Sequence, residues 1–121
     1  MKNYFPDDEL KFQHCGKLVF NEDFRAVLNL IREDVGFPMI ISSGYRCPDH
    51  PIEKAKLIPG EHSDGEGVDV AVSYAQALRV LDSALNHGIE RIGVSQQGDT
   101  SGRFLHLGYS KTLPTPALWS Y

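Results

Sequence analysis

The chain has 121 residues, a hydrophobic fraction of 41%, a charged fraction of 23% and a formal net charge of −4 at pH 7. That length fits one domain, 1–121, burying about two-thirds of the surface its unfolded form exposes. The acidic balance and the lack of a Lys/Arg stripe exclude nucleic acid as the expected partner, and no apolar run approaches the roughly 20 residues of a membrane span.

Residues 1–20 mix Pro6, a Lys/Asp/Glu cluster and Gly16, and read as a loop-rich leader. Asn21 suits an N-cap, and Glu22 and Asp23 follow where carboxylates complement the helix dipole. Phe24, Val27, Leu28, Ile31 and Val35 recur at three- and four-residue steps. They predict an amphipathic helix that stops at Gly36, ahead of Pro38. Met39 to Ser43 reads as a short, mostly buried strand. Residues 44–67 form a long irregular stretch carrying Cys47, His50 and His62, and loops of that length in a compact domain are usually functional or disordered. Val68 to Val72 alternates as a strand does. Ser73 is placed to cap a second helix with Ala75, Leu78, Val80, Leu81, Ala84 and Leu85 apolar, closing at Gly88. Ile89 to Ser95 is another strand, Gln96 to Gly102 a polar hairpin-like connection, and Arg103 to Tyr109 a last strand before a Pro-rich tail. The order predicts an α+β fold with two main helices and a small, largely antiparallel sheet.

Two segments can carry chemistry. In His62-Ser63-Asp64-Gly65-Glu66-Gly67-Val68-Asp69, the glycines let the backbone fold back and aim His62 and Asp69 at one point. In Phe104-Leu105-His106-Leu107-Gly108, His106 shares a strand face with Phe104 and Gly108. A histidine among apolar neighbours on a central strand requires a polar partner. Two histidines and one carboxylate leave one position free on a tetrahedral zinc, the pattern of a catalytic site. Spacing alone is unspecific here, because a strand histidine is more often a satisfied core residue than a ligand.

Ser43-Gly44-Tyr45-Arg46-Cys47-Pro48-Asp49-His50 resembles the SGYRCPxH signature of the peptidase M15 superfamily, the D-alanyl-D-alanine carboxypeptidases and related peptidoglycan endopeptidases. Pro59-Gly60-Glu61-His62, with Gly65, Gly67, Val68 and Asp69, resembles its zinc motif, in which a His and an Asp flank a glycine-bearing stretch. Arg103-Phe104-Leu105-His106-Leu107 resembles its closing F-(I/V)-H-(V/L) strand, and Trp119-Ser120-Tyr121 the W-x-Y ending of small phage and prophage members. The likeness runs in family order from about Phe20 to the C-terminus. It implies a hedgehog/D-Ala-D-Ala peptidase-like fold, Zn2+ held by His62, Asp69 and His106, and a peptidoglycan peptide as partner; a monomer is expected, although the sequence does not fix the oligomeric state. It also implies Arg46 beside the substrate, where a planar guanidinium grips a carboxylate or carbonyl.

The chain departs from the family at two positions. Many members carry Asp or Glu three residues before the last zinc histidine, where this chain has Arg103. Others carry Asp two residues after it, where this chain has Gly108. Peptide hydrolysis needs a group that takes the water's proton and hands it to the leaving amine. Glu66 and Asp99 are the stand-ins expected for that role, with Glu61 and Asp64 behind them. The implied function is a zinc-dependent peptidase of peptidoglycan stem or cross-link peptides. The alternative is a weak or inactive zinc-binding module that recognises cell-wall peptide or serves as a structural phage component. The start MKNYFPDDEL lacks the apolar stretch of a secretory signal, so cytoplasmic synthesis is expected, with action at the cell wall after phage release. Free thiols at Cys15 and Cys47 are expected rather than a disulfide. His14 and His87 are not read as ligands, and Trp119 and Tyr121 read as packing residues.

Overall fold

Helix α2 (Glu22–Val35) begins where the Asn21 side chain accepts the Phe24 N–H at 3.0 Å, and it ends where Gly36 takes a left-handed φ of 76°. Its buried stripe includes Phe24, Leu28, Ile31 and Val35, four of the five residues the helical spacing predicts, and the fifth, Val27, is half-buried against the core. The structure, a computed structural model, describes residues 2–10, 20–44, 61–62 and 65–121. Helix α3 (Tyr74–Asn86) buries Ala77, Val80, Ser83 and Ala84, while Ala75, Leu78 and Leu85 face solvent. Ser73 occupies its N-cap, but the hydroxyl makes no capping hydrogen bond, which corrects the expected cap.

Five strands form one sheet: β1 (Ile40–Ser43), β2 (Gly67–Ala71), β3 (Arg91–Ser95), β4 (Phe104–Gly108) and β5 (Ala117–Ser120). Their order is β1-β2-β4-β3-β5, and every pairing is antiparallel except β3 with β5. A 3-10 turn, Thr100–Gly102, closes the β3–β4 hairpin. The architecture is thus α+β with a mostly antiparallel sheet and two main helices. β5 replaces the Pro-rich tail of the sequence reading. It is held by the Ala117 N–H on Glu90 O at 2.8 Å and the Tyr121 N–H on Val94 O at 3.3 Å.

One face of the sheet is core. Val68, Val70, Ile92, Leu105 and Leu107 are buried there with the apolar stripes of both helices. Each such side chain contributes about 1.5–3 kcal/mol by leaving water. The segment read as a leader joins this core. It contains a short helix, α1 (Asp7–Leu10), and its Phe5 and Leu10 are fully buried. Among the bonds that tie it to α2, the Tyr4 N–H donates to Asn29 Oδ1 at 2.7 Å, and Arg25 Nη1 donates to Phe5 O at 3.1 Å. Among the described residues, no helix is long and apolar enough to cross a membrane.

Across the other face, strand register lines up Ser43, Asp69, His106, Gly93 and Trp119 in one row, one residue from each strand.

Candidate metal centre

Antiparallel pairing sets Asp69 of β2 directly opposite His106 of β4. His106 Nδ1 lies 3.0 Å from Asp69 Oδ1. His62 comes from the turn before β2, with its Nε2 3.4 Å from the same oxygen. One donor atom from each residue falls within 4.8 Å of the others. Donors at about 2.1 Å from one tetrahedral ion stand about 3.4 Å apart, so these contacts are close to ligand spacing.

The far nitrogen of each ring is already engaged. His62 Nδ1 is 2.7 Å from the Gly44 carbonyl oxygen, which can only accept, so the ring donates there and leaves the Nε2 lone pair toward Asp69. His106 Nε2 is 2.8 Å from Glu61 Oε1, which leaves Nδ1 toward Asp69 in the same way. Glu61 itself is buried. Its Oε2 accepts the Ser110 N–H at 3.1 Å and lies 3.0 Å from Arg91 Nε. The Arg91 contact is an ion pair, because the N–H is not aligned for a hydrogen bond.

Burial alone would raise the pKa of Asp69, but the His106 and His62 contacts outweigh it and hold the carboxyl far below its usual range. Glu61 behaves likewise: burial pushes it up, and His106, Arg91 and the Ser110 N–H bring it down further. Burial would lower His106, yet Asp69 and Glu61 together raise it. The centre therefore keeps two anions beside an imidazole that favours its proton, an arrangement whose charge suits a cation.

The flank of His106 is walled by Trp119, their ring centroids 5.3 Å apart. This is sterically allowed because Gly93 lies between them in the register. A Cβ on Gly93 would come within 2.5 Å of the indole nitrogen. The Arg91 guanidinium sits 5.0 Å from the indole centroid.

Of the residues expected from sequence, the structure brings together His62, Asp69 and His106. Arg46 lies outside the described residues, as do His14, Cys15, Cys47, His50 and Asp64. The two expected proton carriers have local structural partners. Glu66 Oε2 accepts from Asn21 Nδ2 at 3.1 Å, beside the start of α2. Asp99 accepts from the Ser101 N–H and Oγ at 3.0 Å, capping the 3-10 turn at the surface. Arg103, at the position where many members have an acid, donates from Nε and Nη2 to the Gly98 carbonyl at 3.1 and 2.9 Å. Among the described residues, the carboxylates touching the two histidines are Asp69 and Glu61. Sequence reasoning named Glu61 only as a weak proton carrier and missed Arg91, Gly93 and Ser110. The one available signal was the pairing of a glutamate before His62 with a glycine after His106.

Comparison with known proteins gives one family: the model described as Peptidase M15 matches residues 8–107. No curated protein and no solved structure matches the chain.

Proposed function

The chain belongs to the peptidase M15 family, and on that premise we propose that it is a zinc-dependent peptidase cleaving stem or cross-link peptides of peptidoglycan, of the D-Ala-D-Ala carboxypeptidase or endopeptidase type. The observation that supports this best is the convergence of His62, Asp69 and His106 donors within 4.8 Å. A His/His/Asp set suits zinc and leaves one coordination position for water or substrate. The chemistry zinc supplies when bound is polarisation of the scissile carbonyl and acidification of the attacking water.

The chain's own residues do the rest. Asp69 provides charge and an oxygen donor at the centre of the set. The Gly44 carbonyl and the Glu61 carboxylate hold the two rings with their inward nitrogens free. Trp119 shields the outer flank of His106. Arg46 is assigned to grip the peptide carboxylate or carbonyl. Glu66 or Asp99 is assigned the proton transfer to the leaving amine, which requires that carboxylate to leave Asn21 or Ser101. Action at the cell wall after phage release, as a monomer, completes the reading.

A second reading, a zinc-binding module without turnover, draws on the partners that Glu66, Asp99 and Arg103 have in the structure. Digestion of purified peptidoglycan with the zinc-loaded protein, read by mass spectrometry beside chelator-treated and His62→Ala controls, separates the two. Metal-dependent release of a defined peptide fragment is expected. Tight zinc binding with no product from any common cell-wall chemotype overturns the peptidase and leaves the module.

A further inference from the structure

We infer that Glu61 is a positioning residue of the metal centre: its carboxylate fixes the tautomer and aim of His106, and Gly108 is bare so that this carboxylate can enter. The inference rests on the zinc reading above.

Glu61 is 4% exposed, and a carboxylate that deep must find partners or be strongly destabilising. It has three. Ser110 N–H and Arg91 both meet Oε2, and His106 Nε2 meets Oε1. Ser110 N–H and Arg91 fix the carboxylate from behind, so Oε1 remains as a rigid acceptor for one imidazole N–H. Only the Nε2–H form of a neutral His106 satisfies that acceptor, and in that form the Nδ1 lone pair faces Asp69. Arg91 is anchored in turn by the Pro114 carbonyl and by the face of Trp119. A continuous line of contacts therefore runs from β5 through Arg91 and Glu61 to the ligand.

The steric evidence is independent of the hydrogen bonds. Gly108 lies on the same strand face as His106. A Cβ there would stand 2.2 and 2.3 Å from the two Glu61 carboxylate oxygens and 2.5 Å from their carbon. No side chain at 108 can coexist with Glu61 in this position. Residues 61 and 108 thus compete for one volume beside His106 Nε2, and a short acid at 108 would put its carboxylate where that of Glu61 now sits. A glutamate kept only to neutralise Arg91 would not need His106, and its loss would not be repaired from another strand.

The test is zinc affinity by chelator competition on the full chain, for the wild type and four variants whose folding is checked by circular dichroism. Loss of an outer partner of a metal ligand costs about 10–100-fold in affinity. Glu61→Ala should fall at the upper end of that range. Glu61→Gln should fall at the lower end, because it keeps an acceptor for His106 but turns an amide N–H toward Ser110 and Arg91. Gly108→Asp alone should weaken binding, and Glu61→Ala combined with Gly108→Asp should recover most of the loss. Nitrogen-15 shifts of His106 in the zinc-loaded wild type supply a readout that needs no variant to fold, with the proton expected on Nε2. A proton on Nδ1, or a folded Glu61→Gln or Glu61→Ala chain with wild-type affinity, overturns the inference while leaving the zinc reading intact. A wild-type chain that binds no zinc removes the zinc reading itself.

Discussion

Along β4, Leu105 and Leu107 enter the core while His106 and Gly108 face the metal centre; along β2, Val68 and Val70 alternate in the same way with Gly67 and Asp69. The two faces of these strands are built differently. The core face is filled by aliphatic chains similar in size and kind, and its stability comes from volume and area summed over many residues. The other face is built from unequal pairs. Trp119 fits because Gly93 is bare, and the Glu61 carboxylate fits because Gly108 is bare. Substitutions on the first face should cost folding free energy, those of the ligands and their partners on the second should cost affinity and aim, and those of its bare glycines should cost the packing of the larger neighbour.

The largest expected effect lies on the core face. Leu107→Ala, at a fully buried position, should destabilise the chain by about 2–5 kcal/mol in denaturant titration, while the folded fraction still binds zinc. A loss of affinity as large as that of a site-face variant would break the comparison. Next comes Asp69→Asn, which removes the anion shared by both histidines. Its zinc affinity, measured by chelator competition, should drop by at least the roughly 10–100-fold associated with an outer partner, with a smaller change in melting temperature than Leu107→Ala produces. Gly93→Ala should cost about 1–3 kcal/mol by overpacking against Trp119, and a thermal melt would show it. An unaltered melt would mean that the indole is free to move aside.

The smallest effect is in the pH dependence of the metal-free chain. His106 has a raised folded pKa, so its contribution is complete below the unfolded value of about 6.5 and disappears as pH climbs through the folded one. Asp69 and Glu61 are depressed, so theirs is present above the ordinary carboxylate range and is lost only as pH falls through their low folded values. Above about pH 6.5 the carboxylates are therefore constant, and the metal-free melting temperature should decline as pH rises through the raised folded value of His106. Zinc affinity should rise over the same interval, because binding displaces that proton. Parallel trends in the two quantities would contradict the placement of His106 between two anions.

The parts of the fold legible in sequence are those set by local rules. Asn21 and Gly36 bracket α2 because capping needs only neighbours, and the strands around Asp69 and His106 show the two-residue alternation of half-polar sheet faces. The three candidate ligands were legible through motif order. What escaped depends on distance. Glu61 meets His106 across a separation of 45 positions. β5 is four residues long and pairs in parallel with a strand it does not follow, so no hairpin signal marks it. Phe5 and Leu10 are buried without any periodicity to announce it. The partners of Glu66 and Asp99 were equally illegible. The two carboxylates stand near the ligands in sequence or on an adjoining loop, yet the nearby Asn21 amide and the Ser101 turn engage them first.

Zinc has a filled d shell and gives no visible spectrum of its own. The chain has a single tryptophan, and the fold sets it against one of the rings expected to hold the metal, 5.3 Å between centroids. Its emission is therefore a built-in optical gauge. Exchange of a proton for a metal at His106 would change the charge beside the only indole in the molecule, so occupancy could be followed in the unlabelled protein at micromolar concentration.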